Sequence, residues 1–242
     1  MNAKRGYVPE DERYFSPEAI CTMQTASRHV RYLINEGYDL KQASTFVGNH
    51  FLLSERQRLA IMRSLATDEQ LEGRKNRQIP ISDLLDQEVW IDGFNTIITL
   101  EVMLCGGILL SCMDGTIRDL AALRGTYRLL PETSEAVCMM FRVLQNAGIR
   151  KATILLDEPV SNSGRLKALI AEIGEKFAFE QDIQILRNVD RTLYTKENVI
   201  TSDSVILDHC ISWVNLTAEV MEEKGKPGIR LWSLENTANG TK

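Results

Sequence analysis

Val89-Trp90-Ile91-Asp92-Gly93-Phe94-Asn95 passes from three β-branched or aromatic residues straight into an aspartate and a glycine, the pattern of a short buried strand that ends on a turn. Two later stretches repeat it. Thr153-Ile154-Leu155-Leu156 runs into Asp157-Glu158-Pro159, and Val199-Ile200-Thr201-Ser202 runs into Asp203. Further short apolar runs predict strands over residues 108–112, 183–186, 213–216 and 229–232. Helical spacing predicts helices over 96–105, 134–147, 164–176, 204–210 and 217–224. This alternation is that of an α/β domain with a mostly parallel sheet flanked by helices.

Upstream the pattern is helical only. Ser16-Pro17-Glu18 opens a helix that runs towards Asn35 and stops at Gly37. A second helix is expected over 40–47, and a third, capped by Ser54, over 55–66. Residues 67–87 are rich in charge, carry Arg74, Lys75 and Arg77, and are expected to be a basic linker. The chain is thus divided into a small helical module over 1–80 and an α/β domain over 81–242. Residues 40–66 allow a helix-turn-helix with Arg56, Arg58 and Arg63 on its second helix; ordinary helical packing is the plainer reading.

The 242 residues suffice for a large core, and 44% hydrophobic with 25% charged residues excludes long disorder. Net charge is −5, but residues 1–80 hold twelve Lys/Arg against ten Asp/Glu, and the remainder holds 16 against 23. Five cysteines form no CxxC pair, as in reduced chains. The one membrane-like stretch, 96–113, is broken by Glu101 and by Gly106-Gly107. A cytoplasmic location is expected, with no membrane partner.

Ligands of parallel sheets bind beyond the carboxyl ends of the strands, where Asp92, Asp157 and Asp203 stand. Converging carboxylates repel one another and are costly to desolvate, so they are a natural seat for a divalent cation. Oxygen-only ligands select Mg²⁺ or Mn²⁺, which polarise phosphate and activate water. Each aspartate taken singly reads as a helix cap or turn residue. Glu101, in a helix apolar almost all round, needs either a structural partner or the metal; Asp208 can reach the same region but also reads as a solvated residue. Asp114-Gly115 suggests a hairpin turn, with Asp114 and Asp119 as weaker candidates. Ser161-Asn162-Ser163-Gly164 could receive a phosphate or simply cap a helix, and Arg118, Arg124, Tyr127 and Arg128 form a basic, partly aromatic segment. An Asp-x-Asp phosphohydrolase is disfavoured because Phe94 stands where its second aspartate is needed.

The set Ile91-Asp92-Gly93-Phe94-Asn95, Leu156-Asp157 and Thr201-Ser202-Asp203 resembles the PIN-like superfamily of nucleases, especially its NYN branch. The resemblance implies that Asp92, Asp157 and Asp203, joined by Glu101 or Asp208 as the helical acidic ligand, bind one or two Mg²⁺ or Mn²⁺ ions. It implies that Asn95 orients Asp92 or the substrate, and that water hydrolyses RNA phosphodiesters. RNA is the partner it suggests, with DNA and a homo-oligomer also compatible, and a non-catalytic RNA-binding or regulatory protein is the alternative. The whole chain, including Thr45-Phe46-Val47-Gly48-Asn49-His50 and Ser54-Glu55-Arg56-Gln57-Arg58, resembles an uncharacterised, mainly archaeal family.

Overall fold

The computed structural model describes residues 4–121, 125–225 and 230–233. Five helices come first: α1 (Asp11–Tyr14), α2 (Pro17–Asn35), α3 (Leu40–His50), α4 (Glu55–Ser64) and α5 (Asp68–Arg77). Their starts follow from local chemistry. Ser16 accepts from the backbone N–H of Ala19 ahead of Pro17, Asp39 caps α3, and Ser54–Gln57 and Thr67–Gln70 form capping boxes. The expected linker is therefore largely helical: the Thr67 cap starts α5 despite its charge, and Arg74 is buried beneath it.

A 3₁₀ turn at Ile81–Leu84 leads to β1 (Glu88–Asp92) and α6 (Gly93–Leu104). The chain continues through β2 (Ile108–Ser111), β3 (Ile117–Asp119), α7 (Pro131–Asn146), β4 (Lys151–Asp157), α8 (Ser163–Gly174) and β5 (Glu180–Leu186). It ends with α9 (Val189–Leu193), β6 (Val199–Ile200), α10 (Ser204–His209), β7 (Trp213–Val214), α11 (Leu216–Lys224) and β8 (Arg230–Ser233). The main sheet has the order β5-β4-β1-β6-β7 and is parallel throughout. From β1 the chain moves outward to β4 and β5, then returns to the other side of β1 as β6 and β7. The strand order thus reverses between β1 and β6, where α/β sheets open a crevice at their carboxyl ends.

The inner strands are covered on both faces, which is why β4 reads as a continuous apolar run, whereas the edge strand β5 is only partly buried and mixes polar with apolar residues. Val89 and Ile91 point into a core shared with α6, α7 and α8, while Trp90 packs on the opposite cluster with Leu193, Ile206 and Trp213. Gly93 is required by close approach: a Cβ there would lie 2.7 Å from Leu156 Cδ2 and 2.8 Å from the carbonyl of Leu155. The absence of that carbon lets α6 start one residue after the strand, earlier than its apolar periodicity suggests.

Residues 108–112, expected in the main sheet's alternation, belong instead to a second sheet of order β3-β2-β8. Here β2 and β3 form the hairpin expected at Asp114-Gly115, with Gly115 at φ +80. Alternation along β2 divides its side chains. Leu109 joins the main core, whereas Ile108 and Leu110 join Met23, Val30, Val47 and Ile61 of the N-terminal helices. The helical module and the α/β part thus meet across one small sheet. Residues 215–216, expected as strand, turn into α11 because Asn215 caps it, and Ile229 lies outside the described residues. Among the described residues no helix is long and apolar enough to cross a membrane. All five cysteines are free thiols.

Candidate functional site

Asp92 ends β1 level with Leu155 of β4, two residues short of Asp157. Asp157 ends β4, and Asp203 follows β6 by three residues and caps α10. With neighbouring parallel strands about 4.8 Å apart, these three ends stand side by side around the switch between β1 and β6. A fourth acid joins them. Asp190, in the short helix α9 that follows β5, contributes to the repulsion on Asp92 and on Asp157.

Asp92 is the enclosed member, 5% exposed. Thr201 Oγ1 donates to its Oδ2 at 2.8 Å, and among the described residues no lysine, arginine or histidine pairs with it. Burial pushes its carboxyl up to about 8; the Thr201 hydrogen bond works against that rise, and repulsion from Asp203, Asp157 and Asp190 adds to it. Asp157 is raised by partial burial and by Asp190, and Asp190 by partial burial and Asp203, although Asp190 lies on the open side of the group. Asp114 makes the contrast. Burial pushes it up too, but Arg118, Thr116 and Arg74 outweigh burial and hold it below the ordinary carboxylate range.

The loop carrying Asp203 is fastened from two sides. Asn95 Oδ1 accepts from Ser202 N–H at 2.8 Å and from Ser202 Oγ at 2.9 Å, so Asn95 touches Ser202 rather than Asp92. From the hairpin, Arg118 Nε donates to the Ser202 carbonyl at 2.6 Å. Thr201 Oγ1 also accepts from Asp203 N–H at 3.0 Å, and Asp203 Oδ1 accepts from the N–H groups of Val205 and Ile206. One oxygen of Asp203 is thereby engaged in capping. Arg118 is itself held by Asp114, which also pairs with Arg74; Arg74 reaches Asp208 at 2.6 Å. This buried chain of charges ties α5, the hairpin and α10 together.

Two expected ligands are therefore drawn elsewhere. Glu101 takes the structural alternative: its carboxylate is fully buried and accepts from Arg5 Nε at 2.8 Å, Tyr127 Oη at 2.7 Å and Thr133 Oγ1. Asp208 is committed to Arg74 and Gln70. Asp119 accepts from Thr99 at 2.9 Å and from Ala121 N–H at 2.7 Å. The hydroxyls of Ser161 and Ser163 are spent on Tyr127, Asp157 and Val160 carbonyls, leaving that turn internally satisfied. Of the basic segment, Arg118 and Tyr127 point inward, Arg128 is exposed, and Arg124 lies outside the described residues.

The oxygen-only donors suit a hard divalent cation, yet among the described residues no three His, Cys, Asp or Glu side chains stand together as ready ligands. The expected trio stands at neighbouring strand ends without closing into a ligand set, and one oxygen of Asp203 is engaged in capping α10. Asp190 was not legible as a fourth acid because it is detached from its strand; Arg187-Asn188-Val189-Asp190 after the predicted strand 183–186 is the signal that could have found it.

Comparison with known proteins adds the family. Residues 22–77 match a protein family of unknown function, DUF434, and residues 81–219 match a domain of unknown function, DUF5616. An uncharacterised protein of Methanocaldococcus jannaschii is 34% identical over 203 residues, which cover 83% of this chain and 97% of that protein. No solved structure matches the chain. The relative is archaeal, as the resemblance of the whole chain suggested, and with more than half of its residues matched the chain belongs to the DUF5616 family.

Proposed function

We propose that the crevice at the β1–β6 switch is the active site of a divalent-metal-dependent nuclease that hydrolyses RNA phosphodiesters. The observation that carries this reading is the buried Asp92 carboxylate, without a cationic partner among the described residues, set among Asp157, Asp190 and Asp203 at the carboxyl ends of parallel strands. Such a carboxylate either keeps its proton or is costly to the fold when ionised, and a bound cation favours the ionised form. The resemblance of the Asp92, Asp157 and Asp203 motifs to PIN-like nucleases supports the same reading.

Asp92 and Asp203 would hold Mg²⁺ or Mn²⁺, which when bound supplies a polarised phosphate and a water of lowered pKa. Thr201 keeps Asp92 oriented, and Asn95 keeps Ser202, and with it Asp203, in register. Asp157, raised by burial and by Asp190, would take the proton from the attacking water as the phosphodiester P–O bond breaks. Free thiols suit work in the reducing cytoplasm.

The test is a cleavage assay on labelled single-stranded and structured RNAs in Mn²⁺, Mg²⁺ or EDTA, with Asp92→Asn alongside. Metal-dependent cleavage that disappears in the variant while RNA affinity remains is the expected result. A non-catalytic RNA-binding protein is the second reading, favoured by the lack of a preassembled three-carboxylate set among the described residues. RNA binding without cleavage by the wild type in any metal would establish that reading instead.

A further inference from the structure

Beside the aspartates, a cleft of about 190 Å³ lies between α4, β3 and the loop from β6 to α10, lined by Met62, Arg63, Asn95, Arg118, Asp119 and Ser202–Ser204. It is smaller than the roughly 300–1,000 Å³ of pockets that enclose a drug-sized ligand, so it fits a group of a larger molecule. Its charge is mixed. Arg118 has its donors committed to Ser202, Arg63 and Asp114. Arg63 is only partly committed: Nη1 donates to the Asp119 carbonyl and stands 3.7 Å from the Asp119 carboxylate, while Nε and Nη2 donate to no other described residue, and the side chain is 36% exposed. Among the described residues the Asn95 side chain uses only its oxygen, its Nδ2 having no acceptor, and the Ser204 hydroxyl has no partner.

The other arginines of α4 are used differently. Arg56 binds Asp11 and two backbone carbonyls, and Arg58 binds the Leu53 carbonyl. Arg58 also keeps donors without a partner among the described residues, so what distinguishes Arg63 of the three arginines that a helix-turn-helix would offer is its place in the cleft wall beside Asn95 and Asp203.

We propose that this cleft binds a backbone phosphate of the nucleic-acid strand, with Arg63 as the cation that contacts it and Asn95 Nδ2 and the Ser204 hydroxyl as supporting donors. The inference rests on the nuclease or RNA-binding reading of the neighbouring aspartates. A crevice of carboxylates repels a polyanion, and a guanidinium presented from the side offsets that repulsion and sets the strand's position. The residues on the two walls come from the two matched regions, Arg63 from 22–77 and Asn95, Ser202 and Ser204 from 81–219. The helical module would then complete the site and not merely support it.

The experiment measures affinity of full-length protein for a short single-stranded RNA in EDTA across a salt series, so that no cleavage is involved. Arg63→Gln is expected to weaken binding about ten- to hundredfold and to lower the salt slope by about one. Ser204→Asp, a first-turn position where an acid suits the helix, puts a negative charge into the cleft without touching the Arg63–Asp119 contact and is expected to weaken binding similarly. Arg28→Gln, an exposed change on α2, controls for loss of one positive charge. Unchanged affinity in folded Arg63→Gln and Ser204→Asp, or a loss equal to that of Arg28→Gln, overturns the cleft while leaving the aspartate reading intact. Weakened binding in a protein that never cleaves RNA upholds the cleft and removes the nuclease. No RNA binding by the wild type overturns the cleft outright.

Discussion

Substituting Asp92 by Asn should stabilise the metal-free protein at alkaline pH. The ordinary carboxyl value is 3.8 and burial carries Asp92 to about 8, with the neighbouring aspartates adding to the rise. Between these values the folded chain keeps a proton that the unfolded chain has lost, so stability falls as pH rises through that window and levels off above it. At about 1.4 kcal/mol per pH unit the interval amounts to roughly 6 kcal/mol. Water entry and relaxation of the pocket reduce the observable difference to about 2–4 kcal/mol. Asn keeps a carbonyl oxygen for the Thr201 hydroxyl and carries no charge. The stability difference, Asp92→Asn minus wild type, should therefore be near zero at pH 4, grow through pH 6–8 and reach its plateau above pH 8. Urea denaturation in EDTA from pH 4 to 9 reads it directly. Mn²⁺ should stabilise the wild type alone, by about 2.7 kcal/mol at a hundredfold excess over Kd and about 4.1 kcal/mol at a thousandfold excess, enough to cancel the difference. A variant less stable than wild type at pH 8 in EDTA, or a difference independent of pH, would refute the picture of an uncompensated buried carboxylate.

Glu101→Gln should destabilise the fold by about 3–5 kcal/mol by leaving the Arg5 guanidinium without its buried partner, while Mn²⁺ affinity, followed by calorimetric titration, stays as in wild type. Loss of metal binding in a folded Glu101→Gln protein would return that residue to the ligand set. Gly93→Ala should cost about 1–3 kcal/mol, since its Cβ would meet the Leu155 carbonyl at 2.8 Å; an unchanged melting temperature would show that α6 can back away from β4.

The α/β character of this chain was legible because the main strands are buried on both faces and end abruptly on acids, as Thr153-Ile154-Leu155-Leu156-Asp157 does. Asp92, Asp157 and Asp203 could be read as lying at strand ends for the same reason, but their being neighbours was conditional on strand order, and that β4 and β6 flank β1 is long-range topology. Residues that meet across elements were beyond such reading. Glu101 had two open alternatives until Arg5, 96 positions away, filled its site. Arg74, one of the charges that suggested a solvated linker, is 2% exposed because Asp114 and Asp208 wait for it on other elements. The small sheet was missed for a related reason. Ile108, Leu109 and Leu110 are all buried, so β2 carries no polar alternation to say that its two faces serve two different cores.

That double service of β2 bears on how the site is held. Helix α4 packs on the Ile108 and Leu110 face, and the same sheet carries Arg118, whose guanidinium grips Ser202 next to Asp203. A change in the seating of α4 would therefore reach the Asp203 loop through one rigid hairpin, and through the backbone carbonyl of Arg63, which Arg118 also holds. The helical module is in direct contact with the machinery that positions the acids. Its removal would expose the apolar face of β2 and free the Asp203 loop together, so loss of activity in a truncated chain would not by itself distinguish a substrate-binding role from a structural one. Point changes at Arg63 and Ser204 make that distinction, because they leave the Ile108–Leu110 packing and the Arg118–Ser202 bond in place.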